Sequence, residues 1–153
     1  MFYPLFINLK KKRVLIVGGG NVGFRRALYL LNSGAIVTVI SRKFNKGLLK
    51  IKNNSLALIK KEIKSANNPK INFKRFFLII IATDDKKINK AIHAQVRKAS
   101  KNLASTILVC RADRYLAGDV LFPAVSKAGK GIIAFTTLGK NPRLVKRIKD
   151  LLR

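Results

Sequence analysis

The chain has 153 residues, 48% of them hydrophobic, with 33 Lys+Arg against 6 Asp+Glu and a formal net charge of +27. That length and apolar share fit one globular domain with at most a small appendage and exclude a disordered chain. A single Cys and a single His exclude an intramolecular disulfide and offer no cluster for a structural metal.

The positive charge runs along the whole chain, in which Lys, Ile and Asn are all abundant, as an AT-rich genome would encode them. It draws anions in general and singles out none. The apolar N-terminal run precedes the basic residues, the reverse of a secretory signal, and the apolar run 76–82 is too short to span a bilayer. A cytoplasmic protein with no membrane partner is expected.

Arg13–Val17 reads as a strand that ends in glycines. A helix over Asn21–Asn32 follows, with Ala27, Leu28, Leu30 and Leu31 on its apolar side and Gly34 at the C-cap. Residues 36–40 form a second strand, 44–51 a short helix and 56–59 a third strand. A polar connection (65–69) leads to a fourth strand at 77–82. A helix over 85–100 buries Ile88, Ile92, Val96 and Ala99, and 106–110 is a fifth strand. Apolar strands alternating with helices predict α/β architecture, a Rossmann-type doubly wound parallel sheet. After Asp113 the pattern changes. Residues 120–125 and 132–137 predict a β-hairpin around a 127–131 turn, and Asn141-Pro142 starts a last helix to 152. The expected division is therefore 1–113 and 114–153. The last helix carries an apolar stripe of Leu144, Val145, Ile148, Leu151 and Leu152 that needs cover, from a partner subunit or from the domain's own sheet.

Gly18-Gly19-Gly20-Asn21-Val22-Gly23 fits G-x-G-x-x-G between a strand and a helix. There the first glycine makes the turn, the second admits a pyrophosphate to the backbone and the third lets helix and strand pack. The helix N-terminus adds free N–H groups and a positive dipole end. Where an NAD site commonly has an acid for the ribose 2′-OH, this chain has Ser41, Arg42 and Lys43. Those cations suit the 2′-phosphate of NADP, or stay solvated while Ser41 and backbone hold the ribose. Thr83-Asp84-Asp85 closes the fourth strand. One of the three caps the next helix, and Thr83 is a candidate for the nicotinamide side. His93, mid-helix beside the apolar stripe, reads as a surface residue. Asp113 follows the fifth strand. Among so many cations it stays ionised, fit to accept a proton or to stabilise a positive intermediate, or it merely forms a turn.

Taken together, residues 3–10 and 14–20, Ala82-Thr83-Asp84-Asp85, Asn89, Asp113, Leu121-Phe122-Pro123-Ala124 and residues 136–142 resemble the precorrin-2 dehydrogenase domain of siroheme synthases, collinearly over nearly the whole chain. The resemblance implies NAD-dependent dehydrogenation of precorrin-2 to sirohydrochlorin, with iron insertion in some members. It puts the family's catalytic aspartate on Asp113. It implies NAD, because relatives lack the ribose acid too, with NADP left open by Arg42 and Lys43. The substrate's carboxylates suit Arg111 and Arg114 beside the aspartate and Thr136 and Thr137 in the closing motif, and the last helix implies a homodimer. Two departures stand out. Arg111-Ala112 replaces part of an Asn-Val-Val-Asp run, and one helix follows the Gly-Lys-Asn-Pro motif where many relatives continue into more helices and a methyltransferase. No metal-ligand set is visible beyond Asp113 and His93. The rival readings are a non-catalytic nucleotide-sensing module, which gives no reason for Asp113, and a nucleic-acid binder. The latter calls for exposed aromatics among the basic residues, whereas Phe77, Phe122 and Phe135 fall in predicted strands.

Overall fold

The structure is a computed structural model describing residues 2–63, 71–101, 106–138 and 140–151. Two compact units divide between Val120 and Leu121.

In the first unit, β1 (Arg13–Val17), β2 (Ile36–Ser41), β3 (Leu56–Lys60), β4 (Leu78–Ile81) and β5 (Leu108–Arg111) form a parallel sheet in the order β3-β2-β1-β4-β5. The central strands read as unbroken apolar runs because both faces are covered. Val14 to Val17 and Leu78 to Ile81 are all buried. Leu15, Val17, Ile79, Ile81 and Val109 face one side, where Ile92 and Val96 of helix α3 (Lys86–Ser100) complete the core. On the other side, Gly23, Ala27, Leu30 and Leu31 of α1 (Asn21–Asn32) are buried. Leu28, expected with them, points outward at 36% exposure, because it lies about 100° round the helix from Ala27. Helix α1 stops where Gly34 turns to φ +76°, its N–H bonding Leu31 C=O at 2.9 Å and the next N–H bonding Leu30 C=O at 3.0 Å. A short helix α2 (Lys46–Lys50) is capped by Asn45, whose side chain accepts from Gly47 N–H at 2.6 Å. The polar connection expected at 65–69 lies outside the described residues.

Strand β5 starts later than expected and includes Arg111, paired in register with Ile81. The first unit extends past Asp113 because residues 114–120 fold back on the outer edge of β5. Asp119 N–H and Val120 N–H both donate to Val109 C=O, at 2.8 and 3.2 Å, and Val109 N–H donates to the Asp119 carboxylate at 2.9 Å.

The second unit is an antiparallel hairpin, β6 (Ala124–Ala128) and β7 (Gly131–Phe135), followed by α4 (Pro142–Leu151). The hairpin strands sit differently from the expected 120–125 and 132–137. Pro123 has no N–H for a ladder, and Val120 is already bonded in the first unit. Pairing therefore begins at Ala124 and turns over two residues, with Gly129 at φ +57°. Helix α4 starts as read. Asn141 Oδ1 accepts from Leu144 N–H at 2.9 Å, just before Pro142.

Candidate active site

Strand order reverses between β1 and β4, which opens a crevice at the strand carboxyl ends. A cleft of about 430 Å³ lies there, large enough for a cofactor-sized ligand. Its walls are Gly18, Gly19 and Gly20, then Ser41, Arg42 and Lys43 after β2, with Glu62 after β3 and Thr83 after β4.

The glycines divide the work. Gly18 has φ +117°, and a Cβ there would collide with the Ala82 carbonyl. At Gly23 a Cβ would collide with the Gly18 carbonyl, so these two are demanded by packing. Gly20 differs: nothing lies within 4 Å of where its Cβ would be, leaving the backbone approachable from the cleft. Gly20 also starts α1 with no side-chain cap and no acid in the first turn. The first N–H groups and the dipole therefore remain available to an anion, as a pyrophosphate requires. Val22 is half-buried and Asn21 exposed. Asn45 holds this loop in place, its N–H donating to Gly19 C=O at 2.7 Å and its side-chain amide to Asn21 Oδ1 at 2.7 Å.

At the end of β2, Ser41 is half-buried and Arg42 and Lys43 are exposed. An acid does reach this end of the cleft, but from the neighbouring strand. Glu62 lies 3.4 Å from Arg42, with the two side chains 41% and 69% exposed.

At the end of β4, Asp85 caps α3 by accepting from Lys87 and Ile88 N–H at 2.7 and 3.0 Å. Thr83 faces the cleft, and its hydroxyl donates to Asn89 Oδ1 while Asn89 Nδ2 donates to Thr83 C=O at 2.9 Å. One strand over, the Arg111 guanidinium donates twice to the Asp113 carboxylate, at 2.8 and 2.7 Å. These side chains are only 6% and 15% exposed, although the Asp113 backbone faces solvent. Arg111, expected to meet substrate, is instead turned inward onto the aspartate. Hydrogen bonding from Arg111 first, then from Asn89, holds the Asp113 carboxyl below the usual aspartate range, against the opposing effect of burial. Arg114 is exposed. His93 is half-buried, not a surface residue, and accepts from Arg97 Nε at 3.1 Å. Burial foremost, then the charges of Arg97 and Arg111, lower its pKa and keep it neutral at physiological pH.

Thr136 and Thr137 belong to the second unit, where their hydroxyl oxygens accept from Leu138 and Asn141 N–H, both at 3.1 Å. Among the described residues no three His, Cys, Asp or Glu side chains gather to hold a metal, and no helix is long and apolar enough to cross a membrane.

Residues 5–124 match a protein-family model described as "Putative NAD(P)-binding". The chain belongs to this NAD(P)-binding family. Within it, the named relatives agree with the resemblance read from the motifs. A siroheme synthase of Psychrobacter arcticus is 31% identical over 152 residues, covering 98% of this chain and 26% of that protein. A precorrin-2 dehydrogenase of Priestia megaterium is 28% identical, covering 97% of this chain and 68% of its own length. The chain thus spans about a quarter of the first of these. A solved structure titled "SirC, precorrin-2 dehydrogenase" superposes with a TM-score of 0.75 at 28% identity, covering 99% of this chain and 69% of that one. The α/β fold with a small hairpin and terminal helix matches that of this solved structure.

Three residues in or behind the cleft walls escaped sequence reading as actors. Asn89 had a signal: it shares the buried face of α3 with Ile92 and Val96 at i+3 and i+7. Asn45 had only its capping position to recommend it. Glu62 had none, since its place follows from the register that sets Ser41 beside Lys60.

Proposed function

We propose that the protein uses NAD to dehydrogenate precorrin-2 to sirohydrochlorin, on the route to siroheme. The observation that carries this reading is the juxtaposition at one sheet edge of an anion-ready glycine loop and an inward-turned, ionised aspartate. It is supported by collinear similarity to a named precorrin-2 dehydrogenase over 97% of the chain.

Gly18, Gly19, Gly20, Asn21, Val22 and Gly23 would hold the pyrophosphate, Ser41, Arg42 and Lys43 the adenosine ribose, and Thr83 the wall nearer the nicotinamide. NAD, when bound, supplies the hydride acceptor. The chain's own task is to orient the tetrapyrrole and manage the charge left as hydride and proton depart. A base efficient at neutral pH needs a pKa near neutrality, and Asp113 is shifted the other way. Asp113 therefore serves as a fixed anion beside developing positive charge, and the proton goes elsewhere, to solvent or a substrate group. Arg111 holds that anion. Arg114, Thr136 and Thr137 remain the candidates for substrate carboxylates, each threonine keeping its O–H to donate.

The subunit is read as a homodimer. On α4, Leu144 and Leu151 are 42% and 85% exposed, and Ile132 of the hairpin 57%, an apolar surface that a two-fold partner would cover. Sedimentation in moderate salt should give twice 17.1 kDa, and Ile148→Glu should give monomers with weakened turnover. A compact, fully active monomer would overturn the dimer.

The deciding experiment is incubation with precorrin-2 and NAD⁺ or NADP⁺, following the sirohydrochlorin spectrum with and without Fe²⁺. Appearance of sirohydrochlorin is expected, and the iron arm reports any chelatase activity. Dinucleotide binding without turnover would favour the sensing module.

A further inference from the structure

We propose that Glu62 selects NAD over NADP, as a ribose-binding acid supplied from the end of β3 in place of the one missing at the end of β2. This deepens the cofactor reading given above and rests on it. Ser41, Arg42 and Lys43 stand where a dinucleotide site of this architecture commonly carries its ribose acid. Glu62 is the chain's one glutamate and the first acid in its sequence. It falls on the wall of the same cleft as those three residues.

The backbone puts it there. Strands β2 and β3 pair in register as far as Ser41 and Lys60, and Lys61 N–H carries the pairing one step further by donating to Ser41 C=O at 3.0 Å. Ile63 is buried in the core shared with α3. Glu62 is therefore held between a bonded neighbour and a buried one, with its side chain on the cleft wall and 41% exposed.

The two cofactors meet this carboxylate differently. A ribose 2′-hydroxyl can donate to it, a charge-assisted bond for which Arg42 and Lys43 offer no acceptor. A 2′-phosphate brings a charge of about −1.5 to −2 against the same group and has little proton left to give. Arg42 is also engaged, its guanidinium 3.4 Å from Glu62, so a phosphate would have to draw it away from that partner. The cations that suit NADP are thus offset by an acid from the next strand.

The test is calorimetric titration of the full chain with NAD⁺ and with NADP⁺, at about 0.15 M salt to screen the chain's general charge. The wild type should bind NAD⁺ more tightly. In Glu62→Gln, which keeps the size and an acceptor but removes the charge, the ratio of the two Kd values should move toward NADP⁺ by about tenfold or more. The Kd for NADP⁺ should itself fall, and Glu62→Lys should move the ratio further. Asp84→Asn removes a negative charge at the β4 end of the same cleft and should leave the ratio within about threefold. A ratio unchanged in Glu62→Gln overturns the proposal, as does an equal shift in Asp84→Asn or a wild type that prefers NADP⁺. These titrations need no tetrapyrrole, so failure of the proposed function, seen as NAD⁺ binding without turnover of precorrin-2, is read separately from the ratio.

Discussion

At the carboxyl edge of one sheet the chain twice sets an arginine beside an acid, with opposite consequences. Arg42 and Glu62 meet through one contact at 3.4 Å, both side chains well exposed. Arg111 and Asp113 meet through two contacts at 2.7 and 2.8 Å, both nearly withdrawn from water. The first pair is screened, loses rotamer entropy on forming, and is worth about 0–1 kcal/mol. The second has given up hydration, and each partner depends on the other to offset that loss. Identical side-chain chemistry is thus an adjustable surface feature in one place and a fixed element of the site in the other. The difference comes from backbone placement. Arg42 lies beyond the end of β2, whereas Arg111 is still within β5, where the register with Ile81 fixes its direction.

The sharpest way to break this contrast is at the buried pair. Asp113→Asn should lower turnover by about 10²–10³-fold while leaving dinucleotide affinity unchanged, since Asp113 does not line the cleft. Loss of NAD⁺ binding in a folded variant, measured by calorimetry, would show that the aspartate belongs to the cofactor site instead. Next in size, Arg111→Leu should destabilise the fold by about 3–5 kcal/mol in urea titrations, because it strands a carboxylate away from water. The double variant with Asp113→Asn should recover part of that loss, and strict additivity would mean that the pair is not coupled.

A smaller effect is the acid response. The folded Asp113 carboxyl lies below its unfolded value, so its contribution to stability is fully present at neutral pH. It is lost as pH falls below the ordinary aspartate value of about 4 toward the folded one. The gap in melting temperature between wild type and Asp113→Asn should therefore be flat near neutrality and close on acidification. The smallest effects belong to the exposed pair. Arg42→Ala should change stability by less than about 1 kcal/mol, and the preference between NAD⁺ and NADP⁺ by less than about tenfold, roughly 1.4 kcal/mol. A wild-type preference for NADP⁺ beyond that would mean that Arg42 and Lys43 outweigh Glu62.

What the sequence made legible was local. Arg13–Val17 and Asn21–Asn32 were readable to the residue, because burial on both faces leaves an apolar run and helix α1 carries its own stop signal at Gly34. The glycine motif and Asp113 stood out for the same reason: short-range pattern at the end of a strand. Long-range pairings were not legible. Nothing adjacent to Arg42 announces Glu62, and nothing in Arg111 says that it turns inward rather than toward a ligand. The hairpin was misplaced by four residues at its start, because the decisive facts were the bond spent by Val120 on Val109 and the missing N–H of Pro123.

The turn that folds residues 114–120 onto β5 has a consequence for how the molecule behaves in a crowd. Strand β5 is the outermost strand of its sheet, and an outer strand with open donors and acceptors is a template on which a second chain can add. Here the outward polar groups of Val109 are already occupied by Asp119 and Val120, and Arg97 holds Asp119 from the adjoining helix at 2.7 Å. The seven residues act as a built-in terminator for sheet growth. A chain whose apolar strands would otherwise invite polymerisation is therefore blocked at Val109 from adding a copy along this edge.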